Sequence, residues 1–152
     1  MVELTMLGDK SIWDVPKTAF LSSDKFSASS VLKSYDWANE MKRLKRCVIS
    51  GFQSKLEKDV FEILLKGESP IIWVLARGMF ERAPVKHREH IDNGQLLVVS
   101  PFDVKIKRPH RGLAFERNQF IVDNADEVVF AHICKGGMLE RLVISIPAVR
   151  LN

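Results

Sequence analysis

Short, wholly apolar runs alternate along this chain with longer stretches in which apolar residues recur every three or four positions. Thr18-Ala19-Phe20-Leu21 is the first run, followed by the polar segment "SSDKFS" and an amphipathic stretch over residues 28–46, with Val31, Tyr35, Ala38 and Met41 on one face. Cys47-Val48-Ile49-Ser50 is the second run. A helix over 55–66 follows, with Leu56, Val60, Ile63 and Leu64 on one side and Gly67 as its stop. Ile71-Ile72-Trp73-Val74-Leu75-Ala76 has no charged residue and reads as an interior strand. Pro84 and Asn93-Gly94 bracket a helix over 84–92, and Leu96-Leu97-Val98-Val99-Ser100 is a fourth strand. Residues 102–112 read as a loop, 113–124 as a helix and 127–132 as a fifth strand. A short helix after Gly136-Gly137 and a last edge strand within "RLVISIPAV" complete the pattern.

Repeated strand-helix units with short connections predict an α/β, three-layer Rossmann-like domain with a mainly parallel sheet of five to six strands. Residues 1–16 read as an extension of this single domain. Right-handed crossovers bring Leu21, Ser50, Ala76, Ser100 and His132 to one edge of the sheet, where such folds bind ligands.

The loops leaving that edge hold the candidate chemistry. Ser22, Ser23 and Ser27 offer hydroxyls and N–H groups before a helix, which suits either an anion or N-capping. Gly51 allows a sharp turn or a close ligand approach. Arg77, ahead of Gly78, suits a phosphate or a salt bridge. The stretch "VKIKRPHR" places Lys105, Lys107, Arg108 and Arg111 together without an acid, as a phosphate-backbone contact or a solvated loop, with Phe102 and Phe115 as nearby rings for base stacking. Lys135, Gly136 and Gly137 form a loop able either to approach an anion or simply to turn.

Composition changes this little. The chain has 152 residues, 46% hydrophobic and 28% charged, with a net charge of +4, which permits an anionic partner without requiring one. No apolar run approaches the ~18 residues of a membrane span, and the first residues do not resemble a secretory signal. Two cysteines, Cys47 and Cys134, read as reduced thiols, and a cytoplasmic setting is expected. His87 and His90, amid charged neighbours, read as a solvated helix face, so no metal site and no cofactor is expected.

The order of "VISGFQ" (48–53), "IIWVLARGM" (71–79), "LLVVSPF" (96–102) and "ERNQFIVDNADEVVFAHICKGGML" (116–139) resembles the Rossmann-like core of the DNA-processing protein A (DprA/Smf) family. That family's wider superfamily includes the LOG-type nucleotide phosphoribohydrolases. The resemblance implies a basic pocket for single-stranded DNA, with Ser23, Ser27, Gly51, Gly78, Arg117, Asn118, Gly136 and Gly137 at matching positions. Asp24, Phe61 and Met138 depart from the family pattern, and Lys55-Leu56-Glu57 replaces its glycine-isoleucine-aspartate. The expectation is therefore a non-enzymatic module that binds single-stranded DNA or a nucleotide, with a homodimer left open. A nucleotide N-glycosidase using Glu140, and a small-nucleotide sensor, are the alternatives.

Overall fold

The computed structural model describes residues 4–143 and 147–151. Among these residues seven strands form one sheet: β1 (Thr5–Leu7), β2 (Lys17–Leu21), β3 (Cys47–Ser50), β4 (Ile71–Val74), β5 (Leu96–Ser100), β6 (Glu127–Phe130) and β7 (Val149–Arg150). Their spatial order is β1-β5-β4-β3-β2-β6-β7, and every pairing is parallel except the one between β1 and β5. Five helices accompany them: α1 (Ala28–Leu44), α2 (Lys55–Leu65), α3 (Val85–Asp92), α4 (Arg111–Asn124) and α5 (Met138–Val143). The architecture is a Rossmann-like α/β fold.

Alternate residues of the buried strands supply two cores, as the pleat requires. Phe20, Val48, Ile71 and Val129 face Ala38, Leu56, Val60, Leu64 and Ile91 from α1, α2 and α3. Leu21, Ile49, Ile72, Leu97 and Phe130 face Ile121 and Val122 of α4 and Leu139 and Leu142 of α5. The chain thus lays β2 to β5 outward in one direction with α1 to α3 on one face. It then crosses through α4 on the other face and returns to place β6 against the free side of β2. The reversal at β2 opens a crevice between the carboxyl ends of β2 and β6.

The sheet is wider than the expected five to six strands. Thr5–Leu7 pairs antiparallel with β5, and a 3₁₀ turn at Lys10–Asp14, capped by Asp9, buries Ile12 against the second core, so these residues belong to the fold itself. The strand expected within residues 141–149 is corrected. Arg141–Val143 complete α5, because Leu139 and Leu142, three apart, bury together on its inner side; residues 144–146 lie outside the described residues, and only Val149–Arg150 pair with β6 at the sheet edge. Cys47 is buried and its thiol is pushed up to about 12 by desolvation, while Cys134 is half-buried; both are free. Among the described residues no helix is long and apolar enough to cross a membrane.

The solvated reading of His87 is also corrected. His87 and Ile91, four apart, form the buried face of α3, and the His87 ring lies 5.1 Å from both Phe61 and Trp73. Among the described residues its Nδ1 has no hydrogen-bond partner. Burial first, then Lys86, lowers its pKa below the ordinary 6.5, with Glu62 opposing. The unfolded chain therefore takes up this proton more readily, so stability should be complete above about pH 6.5 and fall as the pH drops below it. We expect the melting temperature to decrease from pH 7.5 to pH 5, and a His87→Phe variant to show a shallower decrease over the same range.

Candidate functional site

A cleft of about 680 Å³ opens at the crevice between the β2 and β6 ends. Its walls come from four places: residues 22–25 after β2, residues 53–57 at the start of α2, residues 109–118 on α4, and residues 134–139 leading into α5. Serine hydroxyls hold the walls in register. The Ser23 N–H donates to the His132 carbonyl at 2.9 Å, and the Ser23 hydroxyl accepts from the Cys134 N–H at 3.0 Å, which ties the β2 loop to the β6 loop. Ser27 caps α1 reciprocally with Ser30.

The floor is built from a buried carboxylate and a buried guanidinium. Glu57 is 3% exposed, and its carboxylate accepts from the N–H groups of Ser22 (2.9 Å), Gln53 (2.9 Å) and Ser54 (3.2 Å). The bond from Ser54 belongs to the capping box that starts α2, the bond from Gln53 adds the N–H just before it, and the bond from Ser22 reaches across to the end of β2. Arg117 is 4% exposed, and its Nε donates to Asn118 Oδ1 at 2.8 Å and its Nη2 to Gln53 Oε1 at 2.9 Å. Among the described residues it has no salt bridge. Desolvation lowers its pKa, and the charge of Glu57 opposes that shift. Asn118 turns its Nδ2 to the Met138 sulfur at 3.4 Å.

Backbone strain marks the turn beneath the guanidinium. Phe52 holds φ at 48°, a left-handed conformation rare for a bulky residue, and is kept there by its N–H bond to Ser50 Oγ and by stacking on Phe61 at 4.2 Å. The turn sends Gln53 outward to Arg117. Gly51 leaves the guanidinium its seat: a Cβ there would sit 2.4 Å from Arg117 Cζ.

The rim is charged and open. His110 caps α4 by accepting from the Leu113 N–H, and the N–H groups of Arg111 and Gly112 find no acceptor among the described residues. Arg111 and Lys25 line the cleft and make no ion pair among the described residues, and Asp24 lies with them.

The structure thus brings Ser22, Ser23, Arg117, Asn118, Gly137 and Arg111 to one cleft, with Gly51 directly behind Arg117. Ser27 stands just beyond as the α1 cap. Lys135 is exposed outside the lining, and Gly136, at φ +76°, shapes the turn into α5. Arg77 and Gly78 stand apart from the cleft. The Arg77 guanidinium lies over the Phe80 ring at 4.9 Å and donates to the Gly78 carbonyl, and Gly78 packs so closely on residues 103–104 that a Cβ would meet the Asp103 carbonyl oxygen at 2.4 Å. Lys105 and Arg108 are exposed, and Lys107 pairs with Glu81 at 3.5 Å. Phe102 is buried with Ala76 and Leu113, and Phe115 is covered by Arg141 at 4.4 Å, so neither ring is presented for stacking. Gln53, Glu57 and Lys25 were not among the sequence candidates, and His110 stood there only as a fifth cation of the basic stretch, whereas it caps α4; Ser54-x-x-Glu57 was the readable signal for the capping part of Glu57's role. Among the described residues no group of three His, Cys, Asp or Glu is placed to hold a metal ion.

No protein-family model matches the chain, and no curated protein matches it by sequence. Solved structures share its fold. DNA processing protein A from Helicobacter pylori, described for its single-stranded DNA binding mode, matches with a TM-score of 0.66 at 21% identity over 84% of this chain and 59% of that one. DNA processing protein A from Streptococcus pneumoniae gives 0.65 at 18% identity, over 84% of this chain and 45% of that one. A molybdenum cofactor binding protein from Rippkaea orientalis gives 0.57 at 13% identity, over 89% and 75%. The chain therefore spans about half the length of the two DNA processing proteins it matches.

The two glycines predict opposite signatures. Gly78→Ala forces backbone against backbone and should cost about 2 kcal/mol in chemical denaturation. Gly51→Ala meets only the end of a side chain and should cost about 1 kcal/mol. The Arg117 Nε–H signal in NMR should shift in Gly51→Ala and stay in place in Gly78→Ala.

Proposed function

We propose that the chain is a binding module for phosphate esters, holding a nucleotide at the cleft between the β2 and β6 ends. The observation that carries this reading is Arg117: a guanidinium 4% exposed, without a salt bridge among the described residues, lining an open cleft at the topological switch point. Glu57 compensates this charge through space and without a salt bridge, and an anion entering the cleft would add to that compensation. The open N–H groups at the start of α4 and the Arg111 side chain add donors of the kind phosphate oxygens accept. The cleft volume suits a molecule of nucleotide size.

Single-stranded DNA is the second reading. Its support is the fold shared with the Helicobacter pylori protein, together with the exposed Lys105, Arg108 and Arg111 and the exposed Phe26 beside the cleft. Against it, no Phe, Tyr or Trp lines the cleft itself, so base stacking there would have no platform. The N-glycosidase alternative is weaker, because the Glu140 carboxylate accepts from the Gly136 N–H and does not line the cleft.

Titration by calorimetry, with a mononucleotide panel and a thymidine oligonucleotide in parallel, tests the proposal. We expect a nucleoside monophosphate to bind and to raise the melting temperature by mass action. Arg111→Ala should weaken binding by about tenfold without loss of stability. If the oligonucleotide is the ligand, affinity should fall steeply with salt and Arg111→Ala should lower the log–log salt slope by about one. Absence of binding by both classes would refute the proposal.

A further inference from the structure

The donors that would cradle a phosphate at the ends of β2 and β3 are already in use. Ser22, Gln53 and Ser54 all give their N–H groups to the Glu57 carboxylate, which fills that cradle from within the chain. A second anion entering there would meet a negative group and no free donor. Arg117 adds one positive charge to the floor and Glu57 one negative, so the floor as a pair is close to neutral while remaining rich in hydrogen-bonding groups. A carboxylate offers roughly four acceptor positions, of which the three N–H groups take three. Glu57 itself lines the cleft, so its remaining capacity serves a donor placed there. Lys25 and Arg111, which have no ion pair among the described residues, stand at the rim instead, with the α4 N–H groups that find no acceptor among those residues.

We infer that Glu57 sets the ligand's orientation and class: a phosphate monoester of a polyhydroxylated sugar, such as a ribonucleotide, entering with its phosphate at the Arg111 rim and a sugar hydroxyl donating to Glu57 at the floor. This rests on the phosphate-ester reading above and narrows it, because a 2′-deoxy strand offers the floor fewer hydroxyls than a ribonucleotide does.

The test uses the full chain and calorimetric titration with AMP, its 2′-deoxy and 3′-deoxy forms, inorganic phosphate and a thymidine oligonucleotide. On the wild-type protein AMP should bind about tenfold or more tightly than at least one deoxy form, the loss expected for a hydrogen bond to a charged acceptor. In Glu57→Gln that gap should shrink to within about twofold, with far-UV circular dichroism showing the fold retained. Glu57→Ala frees three N–H donors and should raise the affinity for inorganic phosphate above the wild-type value. Equal binding of AMP and both deoxy forms to the wild type, a measurement independent of any variant's folding, overturns the inference and leaves the broader reading standing. So does a gap that persists in Glu57→Gln, or an oligonucleotide that binds where AMP does not. If no phosphate ester or oligonucleotide binds at all, the broader reading fails and this one with it.

Discussion

The Glu57 carboxylate is the point on which the site depends. It joins the first residue beyond β2 to the turn beyond β3 and to the first turn of α2, three pieces of chain that parallel-strand geometry brings side by side but does not by itself bind together. A buried carboxylate with three N–H donors is well satisfied, whereas its removal would orphan all three donors at once. Arg117 then enters from the opposite face, over Gly51, and fastens Gln53 to α4. The two helical layers of the fold therefore meet at the sheet's carboxyl edge through polar contacts, and the chain's own hydrogen bonds fix the floor of the cleft. Such preorganisation reduces the ordering cost of binding.

Floor and rim divide the physical tasks. Floor groups are buried, mutually hydrogen-bonded and close to charge balance, so under the proposed reading they would discriminate by geometry and by donor or acceptor character. Rim groups are exposed cations and open backbone donors, which attract anions over a Debye length and are screened by salt. The departures from the DNA-processing pattern are consistent with this division. Asp24 puts an acid at the mouth of the cleft, which opposes a polyanion more than a single phosphate.

Most elements of the fold were legible because a doubly covered strand leaves an unbroken apolar run and its helices leave a periodic one. The exceptions have physical reasons. Thr5–Leu7 is too short to show any period, and its place comes from pairing with β5. His87 looked solvated beside Lys86, Arg88 and Glu89, yet its spacing of four from Ile91 is the mark of the inward face. Arg77 follows a buried strand, as a phosphate-binding arginine could, but Phe80 lies three residues on and takes the guanidinium. Within the site, Ser54 and Glu57 could be read as a helix start, because capping is local; the bond from Ser22 to Glu57 spans 35 residues and exists only in the fold.

On α4 the polar residues sit where the apolar period calls for core. Leu113, Ala114, Arg117, Asn118, Ile121 and Val122 all lie on its buried face, and the Arg-Asn pair interrupts that face just where the cleft opens. The pair is internally consistent. Asn118 spends its oxygen on Arg117 Nε, which fixes the amide so that Nδ2 turns toward Met138. A thioether is a weak acceptor, so Nδ2 gives up little if it exchanges that sulfur for a ligand oxygen. Met138 thus leaves the donor nearly unspent and brings an apolar side chain to the same wall. On the reading proposed above, that wall would suit a ligand with one oxygen to offer Asn118 and a nonpolar surface beside it, as the hydrogen-bearing face of a sugar ring has.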